Sequence, residues 1–312
     1  MLRIDFINVG DGDATLLRCT ENGRTHTVLV DCGRPYVPFI EQSQRGSCID
    51  YLMREEVEQI DLLVVSHLHV DHFGGAMAVL NHIPVINMLA LYLPPEDARW
   101  IRPPARKSKP VVGLCDELNL WNDTVAFAKS RGVACKEAAE ERFSLGGVQW
   151  QVHLPDAALC ARQRTVFEAL YLGAMPDELT VYAVSKERNV SSLILRADYA
   201  KRSILLPGDA FASSWENRGL SSCDILKAPH HGDGKSLTKQ LLCSLNPEIV
   251  VISCQNDPTE DKDRPNAEVL SFLVEQVQTV LCTENRALPE YPAATRNAVR
   301  VEVAADGSMT CN

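Results

Sequence analysis

The sequence predicts an α/β fold in which two mixed β-sheets stack face to face and helices cover both outer sides, giving four layers. Three observations lead to this prediction. The first third of the chain contains short β-branched segments separated by Gly, Asp and Asn turns. Strands and helices then alternate, and the second half has the same character, as expected for two sheets covered by helices. With 312 residues and 46% hydrophobic residues, the chain is long enough to bury a large core. We therefore expect one domain over residues 1–312.

The first predicted elements are three strands in the segments LRIDFINV, ATLLRC and HTVLVDCG, which together suggest an antiparallel meander. Apolar residues recur at helical spacing in CIDYLMREEVEQI, which predicts a helix. The segment DLLVVS follows as a fully buried strand. Next come a helix in GGAMAVLNHI, a strand in VINMLALYL and an amphipathic helix in ELNLWNDTVAFAKSRGV, ending at Gly132.

The second half predicts further strands in VQWQVHLP, SSLILRADY, RSILLPGD, CDILKAPHH, EIVVISC, TVLCT and AVRVEV. Helices are predicted in SLTKQLLCSL and NAEVLSFLVEQ. Two stretches interrupt this order and are expected to be insertions. Residues 94–113 are Pro-rich and basic, and residues 156–188 show helical spacing in ARQRTVFEALYLGAM.

Charge and cysteine content restrict the partners and the compartment. The formal net charge of −10 means that the surface as a whole repels polyanions, so an anionic partner needs a local basic patch or bound cations. One basic stretch is visible, at Arg99, Arg102, Arg106, Lys107 and Lys109, and it either attracts an anionic substrate or is simply solvated. The 11 cysteines are scattered singly, and neither a secretory signal nor a membrane-spanning apolar run is apparent. We therefore expect reduced thiols, a cytoplasmic protein and no membrane insertion.

The most informative segment is VVSHLHVDHFGG, residues 64–75. His67 and His69 are two positions apart, so in extended backbone both side chains point the same way and each imidazole can offer a nitrogen to one metal ion. Asp71 and His72 follow where the chain turns. Burying polar rings without partners costs about 1–3 kcal/mol each, so a cluster at a strand end predicts a metal site.

Further ligands are expected at other strand ends. Asp209 follows the apolar strand of LLPGDA, and its two carboxylate oxygens can bridge two cations. His230 and His231 follow another apolar strand in LKAPHHGDG. Gly74 and Gly75 are expected to let the chain turn tightly into the next helix.

Several of these segments resemble one known family. FINVGDGDATLL, LVDCG, SHLHVDHFGG, NVSSLILRADYAKRSILLPGDA and LKAPHHG are similar to motifs of the metallo-β-lactamase superfamily and, within it, of the branch of ComEC-type competence proteins. NPEIVVIS and RPNAEVLSFL extend the similarity towards the C-terminus. The resemblance covers most of the chain outside the two insertions, and it implies the four-layer αββα sandwich of that superfamily.

The resemblance also implies the ligands of two divalent metal ions, by position. The first ion would be held by His67 and His69, the second by Asp71, His72 and His230, with Asp209 between the two. Other members complete the first site with a histidine where this chain has KERNVSS, and Asn189 is the weak candidate there. The branch also tends to have His-Pro where this chain has Arg264-Pro265.

The activity implied is that of a metal-dependent hydrolase, in the first place a phosphodiesterase or nuclease-like enzyme acting on an anionic small molecule or on nucleic acid. Two divalent ions would activate a water, with zinc as the first choice and manganese or iron as alternatives. Asp71 is the expected acceptor of the water's proton. His231 is the expected donor to the leaving group, or a phosphate contact.

Alternatives remain open at this point. The same scaffold can hydrolyse lactones, lactams or thioesters, or serve as a non-catalytic, metal-stabilised module that binds a separate protein or DNA. Asp11 and Asp13 either support the ligands through hydrogen bonds or only form a turn. His153 is either a structural histidine or a further ligand.

Overall fold

This computed structural model describes residues 1–103, 108–255, 264–287 and 291–312. The strands are β1 Leu2–Ile7, β2 Thr15–Glu21, β3 Arg24–Val30, β4 Ile60–Val65, β5 Val85–Ala90, β6 Ala134–Glu137, β7 Glu141–Leu145, β8 Val148–His153, β9 Ile194–Tyr199, β10 Arg202–Leu206, β11 Ile225–Lys227, β12 Ile249–Ile252, β13 Thr279–Cys282, β14 Glu284–Asn285, β15 Ala294–Thr295, β16 Ala298–Val303 and β17 Met309–Cys311. The helices are α1 Cys48–Arg54, α2 Val70–Phe73, α3 Ala76–His82, α4 Lys109–Ser130, α5 Ala157–Tyr171, α6 Glu178–Lys186, α7 Ala212–Trp215, α8 Lys239–Leu245 and α9 Ala267–Gln276.

Two mixed sheets form the centre of the fold. Within the described ranges, the first has the strand order β17-β16-β1-β2-β3-β4-β5-β6 and the second β13-β12-β11-β10-β9-β8-β7, while β14 and β15 pair separately. The strands β1, β2 and β3 pair in antiparallel fashion, so the predicted meander is confirmed. Helices pack on the outer face of each sheet, which confirms the predicted fold class.

The layers follow from the alternation of side chains along each strand. In β1, Leu2, Ile4 and Phe6 belong to the apolar cluster between the two sheets, while Ile7 packs with the helices that cover the first sheet. Strand β4 is buried along its whole length because it has packed layers on both faces.

Parallel pairing determines which strand ends lie together. In the first sheet β3, β4 and β5 are parallel neighbours, and in the second β10, β11, β12 and β13 are. The residues that follow the carboxyl ends of such strands are therefore brought to one edge of each sheet.

Element boundaries differ from the sequence predictions in instructive places. Helix α1 ends at Arg54 rather than near Ile60, because Glu56 adopts a positive φ of 54° and the Val57 amide bonds the Leu52 carbonyl. Helix α4 begins at Lys109, earlier than predicted, with Pro110 in its first turn, so the end of the first expected insertion is helical. Within residues 156–188, α5 agrees with the helical spacing seen in ARQRTVFEALYLGAM, whereas α6 was not predicted.

Two further sequence-based expectations can be compared with the described structure. All 11 cysteines are free thiols, as expected from their scattered spacing. In the part of the chain that the structure describes, we find no helix with both the length and the apolarity needed to cross a bilayer.

Candidate metal centre

The predicted ligands come together where parallel strands end. His67 follows β4, Asp209 follows β10, and His230 and His231 follow β11. Asp31, which follows β3, joins them at the same edge. Sequence-distant polar side chains thus meet in one buried cluster because their strands run parallel.

One group within this cluster comprises His67, His72 and Asp209, whose nearest ligand atoms all lie within 4.8 Å of one another. The Nε2 atom of His72 is 3.2 Å from Oδ2 of Asp209. His69 adjoins this group, with its Nδ1 3.0 Å from Nε2 of His67.

A second group shares His72 and adds Asp71 and His231, again with ligand atoms within 4.8 Å. Nε2 of His231 lies 3.9 Å from Oδ2 of Asp71 and 3.7 Å from Oδ2 of Asp209. The histidine that the structure groups with Asp71 and His72 is therefore His231, whereas the family resemblance assigns that position to His230.

Hydrogen bonds on the far side of two rings orient them towards the cluster. Nδ1 of His72 lies 2.8 Å from Oδ2 of Asp31, and Nδ1 of His231 lies 3.0 Å from the carbonyl oxygen of Ser253. A ring that donates from Nδ1 keeps its lone pair on Nε2, the form in which histidine binds a metal ion. The ring of His231 therefore presents an acceptor nitrogen to the centre, and the ring of His72 does the same once its Nε2 is deprotonated.

His230 has a different environment. Its Nε2 lies 2.9 Å from Nδ2 of Asn189 and 2.5 Å from Nη2 of Arg264. A guanidinium group can only donate, so Nε2 of His230 is the acceptor of this bond and its lone pair is used there. Its Nε2 also lies 3.8 Å from Oδ2 of Asp209, so the ring stands beside the centre.

Burial and neighbouring charges set the protonation states of the cluster. Burial lowers the pKa of His67 and of His69 well below the usual value, which favours neutral rings. Burial also acts against the charged form of His72, but the carboxylates of Asp209 and Asp31 outweigh it and raise the pKa of His72 well above its usual value. Burial opposes the ionised form of Asp209 too, yet His72 holds the pKa of that carboxyl well below its usual range.

Asp13 and Lys227 form a buried ion pair behind the cluster. Oδ1 of Asp13 lies 3.6 Å from Nδ1 of His231, and Oδ2 lies 3.9 Å from Nδ1 of His72. Burial raises the pKa of Asp13 to about 6, against the opposing effect of the Lys227 ammonium. From the sequence, Asp13 either supports the ligands or only forms a turn. In the structure its carboxylate also lies close to both histidines, so it does more than form a turn.

The residues present fit a pair of divalent cations. Several buried polar atoms of the cluster have no hydrogen-bond partner within the described residues, among them Nε2 of His231, Oδ1 of Asp209 and Oδ1 of Asn189. Leaving such atoms unpaired costs about 1–3 kcal/mol each. Imidazole nitrogens with carboxylate and amide oxygens suit zinc and also manganese or iron.

Glycines allow the backbone around the cluster to pack closely. A Cβ atom on Gly12 would lie 2.4 Å from the carbonyl oxygen of Asp71, and one on Gly75 would lie 2.2 Å from that of Cys32. Gly74 and Gly75 form the turn between α2 and α3, as expected, although neither has a positive φ. They are needed because neighbouring backbone leaves no space for a side chain.

A cleft of about 730 Å³ opens onto the centre. Its lining includes His69, Asp71, Asn189, Asp209 and His230, joined by the guanidinium groups of Arg34 and Arg264 and by the first turns of α4. Pro110 and Gly113, which follow the basic stretch in the sequence, are among the residues that line the cleft.

The remaining sequence candidates have other positions. The Arg99 amide bonds the Tyr171 carbonyl and Arg102 is exposed, while Arg106 and Lys107 lie outside the described residues. His153 lies 3.8 Å from Glu140, and burial lowers its pKa.

Some residues of the centre were missed from the sequence. Asp31 and Ser253 orient rings, and Lys227 balances a buried carboxylate. A signal for two of them was present, because Asp31 and Lys227 are charged residues at the ends of apolar strands. Ser253 acts through its backbone carbonyl, which no side-chain pattern reveals.

Comparisons with known proteins agree with this picture. The family model described as Metallo-beta-lactamase superfamily matches residues 7–255. Recombination protein 2 of Haemophilus influenzae is 24% identical over 259 residues, which are 80% of this chain and 24% of that protein. ComE operon protein 3 of Bacillus subtilis is 24% identical over 304 residues, which are 92% of this chain and 32% of that protein. The resemblance to the ComEC-type branch is confirmed, and the chain spans about a quarter to a third of the length of these relatives.

Two solved structures align with this chain over most of its length. The metallo-beta-lactamase fold protein YhfI from Bacillus subtilis has a TM-score of 0.48 at 9% identity, covering 90% of this chain and 96% of that one. An isothiocyanate hydrolase from Delia radicum gut bacteria has a TM-score of 0.47 at 12% identity, covering 94% of this chain and 100% of that one.

Proposed function

The chain belongs to the metallo-β-lactamase superfamily, and from that premise we propose that it is a metal-dependent hydrolase of phosphodiesters. The observation that carries the proposal is the convergence of buried histidines and carboxylates beside a cleft that is also lined by three arginines, Arg34, Arg188 and Arg264. Several of the nitrogen and oxygen atoms that could bind a metal ion lack a hydrogen-bond partner among the described residues. Members of this family generally bind divalent metal ions, and the donor set of this chain fits them.

We propose that two ions are held by side chains of the two groups described above. His67, His69 and Asp209 would hold one ion. Asp71, His72 and a histidine of the Pro-His-His-Gly segment would hold the other. His231 is favoured over His230 for that position, because the Ser253 carbonyl leaves its Nε2 lone pair directed at the cluster.

Individual residues of the chain then have separate roles in the reaction. Bound divalent ions would lower the pKa of a water molecule and neutralise negative charge on the oxygens of the attacked phosphoryl group. A carboxylate oxygen of Asp71 accepts the proton of the attacking water. Protonation of the leaving group was assigned to His231 from the sequence, but His230 and not His231 lines the cleft, and Nε2 of His230 accepts from Arg264. His230, held by Arg264 and Asn189, would therefore only lie beside the leaving oxygen, which takes its proton from solvent.

Two guanidinium groups support an anionic substrate. Arg34 and Arg264 both line the cleft, and Nη2 of Arg34 lies 4.0 Å from Oδ2 of the proposed ligand Asp71. Guanidinium donors suit the non-bridging oxygens of a phosphodiester. The relative named Recombination protein 2 supports nucleic acid as one source of such an ester.

Turnover of bis(4-nitrophenyl) phosphate by the metal-free protein, before and after addition of Zn²⁺ or Mn²⁺, tests the proposal. We expect metal-dependent release of 4-nitrophenol that is abolished in Asp209→Asn and retained in Asp123→Asn, an exposed carboxylate of α4. Metal-independent turnover, or equal activity of the two variants, would contradict the proposal.

Parallel assays with nitrocefin and with a simple lactone separate this activity from carbonyl ester or lactam hydrolysis on the same scaffold. Faster turnover of either compound than of the phosphodiester would replace the proposed substrate class. A protein that retains one tightly bound ion and hydrolyses none of the three compounds would instead be a metal-stabilised binding module.

A further inference from the structure

His69 differs from other proposed ligands in how its ring is held. The rings of His72 and His231 are oriented through their Nδ1 atoms, which face an aspartate carboxylate and a backbone carbonyl. Within the described residues, the ring of His69 has a hydrogen-bond contact only with Nε2 of His67, 3.0 Å from its Nδ1. A histidine that binds a metal ion usually has its second ring nitrogen bonded to a carboxylate, a carbonyl group or water. The orientation of His69 therefore needs another source within the protein.

Two side chains from outside the ligand segment hold the backbone on either side of His69. Oε1 of Glu117, in α4, accepts from the Val70 amide at 3.0 Å, and Nη1 of Arg188 donates to the Leu68 carbonyl oxygen at 2.7 Å. The first amide of a helix and a carbonyl group in a turn have no partner within a helix or sheet, so they are satisfied by side chains or water. The Leu68 carbonyl belongs to the peptide group before His69, and the Val70 amide belongs to the one after it.

The same two side chains also bind each other. Nη1 of Arg188 forms an ion pair with Oε2 of Glu117, and the two side chains are only 8% and 16% exposed. Nη1 thus donates both to the Leu68 carbonyl oxygen and to the carboxylate. Because a guanidinium group is planar and rigid, these bonds fix the relative positions of the groups that accept them. Arg188 and Glu117 form a single unit, which we call the clamp.

We propose that the clamp positions His69 for the ion that it would share with His67 and Asp209. Peptide groups are planar, so fixing the two that flank His69 fixes its φ of −113° and ψ of 142° and, with them, the direction of its Cα–Cβ bond. The ring then packs edge-on against that of His67, with centroids 4.8 Å apart. The inference rests on the two ions of the proposed function, and it is independent of the substrate.

Replacing both members of the clamp tests its role without leaving a buried charge unpaired. Apolar replacement of a complete buried ion pair is often tolerated, whereas removal of one partner is strongly destabilising. We expect the double variant Glu117→Leu/Arg188→Met to fold, as measured by circular dichroism, and to bind one of two Zn²⁺ ions about 10–100-fold more weakly. Competition with a chelating dye, starting from metal-free protein, measures both affinities. Wild-type affinity for both ions in the folded variant would overturn the inference.

A matched ion pair lies far from the centre. Arg202 pairs with Asp224 at 2.7 Å, and Asp224 also accepts from a backbone amide, that of Ser203 at 2.7 Å. Arg202 begins β10, at the end of the strand opposite to Asp209. The control variant Arg202→Met/Asp224→Leu should therefore bind both ions as the wild type does. An equal loss of affinity in the control would indicate general destabilisation and would overturn the inference.

Substitution of His69 separates positioning of this ligand from a general structural role. His69→Ala should weaken binding of the same ion that the clamp variant loses. Combining His69→Ala with Glu117→Leu/Arg188→Met should cause no further loss, because changes that act through one group are not additive. Additive losses would show that the clamp acts through other residues and would overturn the inference.

A conservative change tests the bond to the Val70 amide. Glu117→Gln keeps an oxygen that can accept from this amide, so its Zn²⁺ affinity should lie between those of the wild type and Glu117→Leu. Equal affinities in Glu117→Gln and Glu117→Leu would show that this bond does not position His69, which overturns the inference. All these measurements report metal binding. A wild-type protein that binds two Zn²⁺ ions but hydrolyses no phosphodiester would therefore remove the proposed substrate class and leave the role of the clamp intact.

Discussion

Nδ1 of His231 donates to the carbonyl oxygen of Ser253 over 3.0 Å, and this bond directs Nε2 of the same ring towards Asp71 and Asp209. We therefore predict that His231→Asn removes one of two bound Zn²⁺ ions per chain, measured by elemental analysis after dialysis. His230→Asn should retain both ions, because the Nε2 atom of His230 already accepts from Arg264. Loss of an ion from the His230 variant alone would restore the assignment made from the family resemblance.

The contrast between these two histidines shows how far sequence reasoning reaches at this site. The segment His67 to His72 is local, and a two-residue spacing behind a strand is enough to predict convergence. At His230 and His231 both residues have a positive φ, 49° and 56°, so no strand or helix periodicity applies. Which ring turns towards the cluster depends on Ser253 and Arg264, which are distant in sequence.

The fold was predictable for a similar reason. A long apolar segment such as β4 can be recognised as a buried strand from the sequence, and the short loops between β1, β2 and β3 predict their antiparallel meander. The short edge strands β6 and β7 were missed because they are half-exposed, with a burial pattern that provides few apolar residues. These two strands form because they pair with β5 and β8, which are the neighbouring strands of their sheets.

Asp31 provides a second prediction, about metal affinity. Its carboxylate accepts from the Ser66 amide at 2.8 Å and lies 2.8 Å from Nδ1 of His72. Replacing a carboxylate that orients a ligand histidine typically lowers metal affinity about 10–100-fold, so we expect this loss in Asp31→Asn. Competition with a chelating dye measures the affinity.

A matched control for Asp31 exists in the same sheet. Asp61 is another buried carboxylate that accepts from a backbone amide, that of Thr27 at 2.8 Å, and it lies in β4 at the end of the strand that is remote from the centre. Asp61→Asn should leave Zn²⁺ affinity within twofold of the wild-type value. An equal loss of affinity in both variants would indicate general destabilisation rather than ring orientation.

The space around individual glycines leads to a third prediction, about stability. A Cβ atom on Gly75 would lie 2.2 Å from the Cys32 carbonyl oxygen, so Gly75→Ala forces backbone to move and should lower the free energy of unfolding by about 1–3 kcal/mol. Gly113 lies inside α4 with open space around it, so Gly113→Ala should raise that free energy by about 0.5–1 kcal/mol. Urea denaturation measures both changes, and equal signs for the two variants would contradict the steric argument.

Glu284 carries the last prediction, about pH. Its carboxylate binds Arg45 Nη2 at 2.6 Å and accepts from Ser43 and Asn8, and both partners of the ion pair are buried. Burial opposes its ionised form, but Arg45 and the other donors outweigh burial and hold the pKa of Glu284 below its usual value of 4.5. The stabilisation is therefore fully present above pH 4.5 and is lost as the pH falls through the lower pKa of the folded state.

Glu284→Gln leaves Arg45 unneutralised and should lower the free energy of unfolding at pH 7 by about 3 kcal/mol. The difference between wild type and variant should shrink below pH 4.5, and a difference that stays constant in urea denaturation at pH 7 and pH 3.5 would show that the charge of Glu284 contributes nothing.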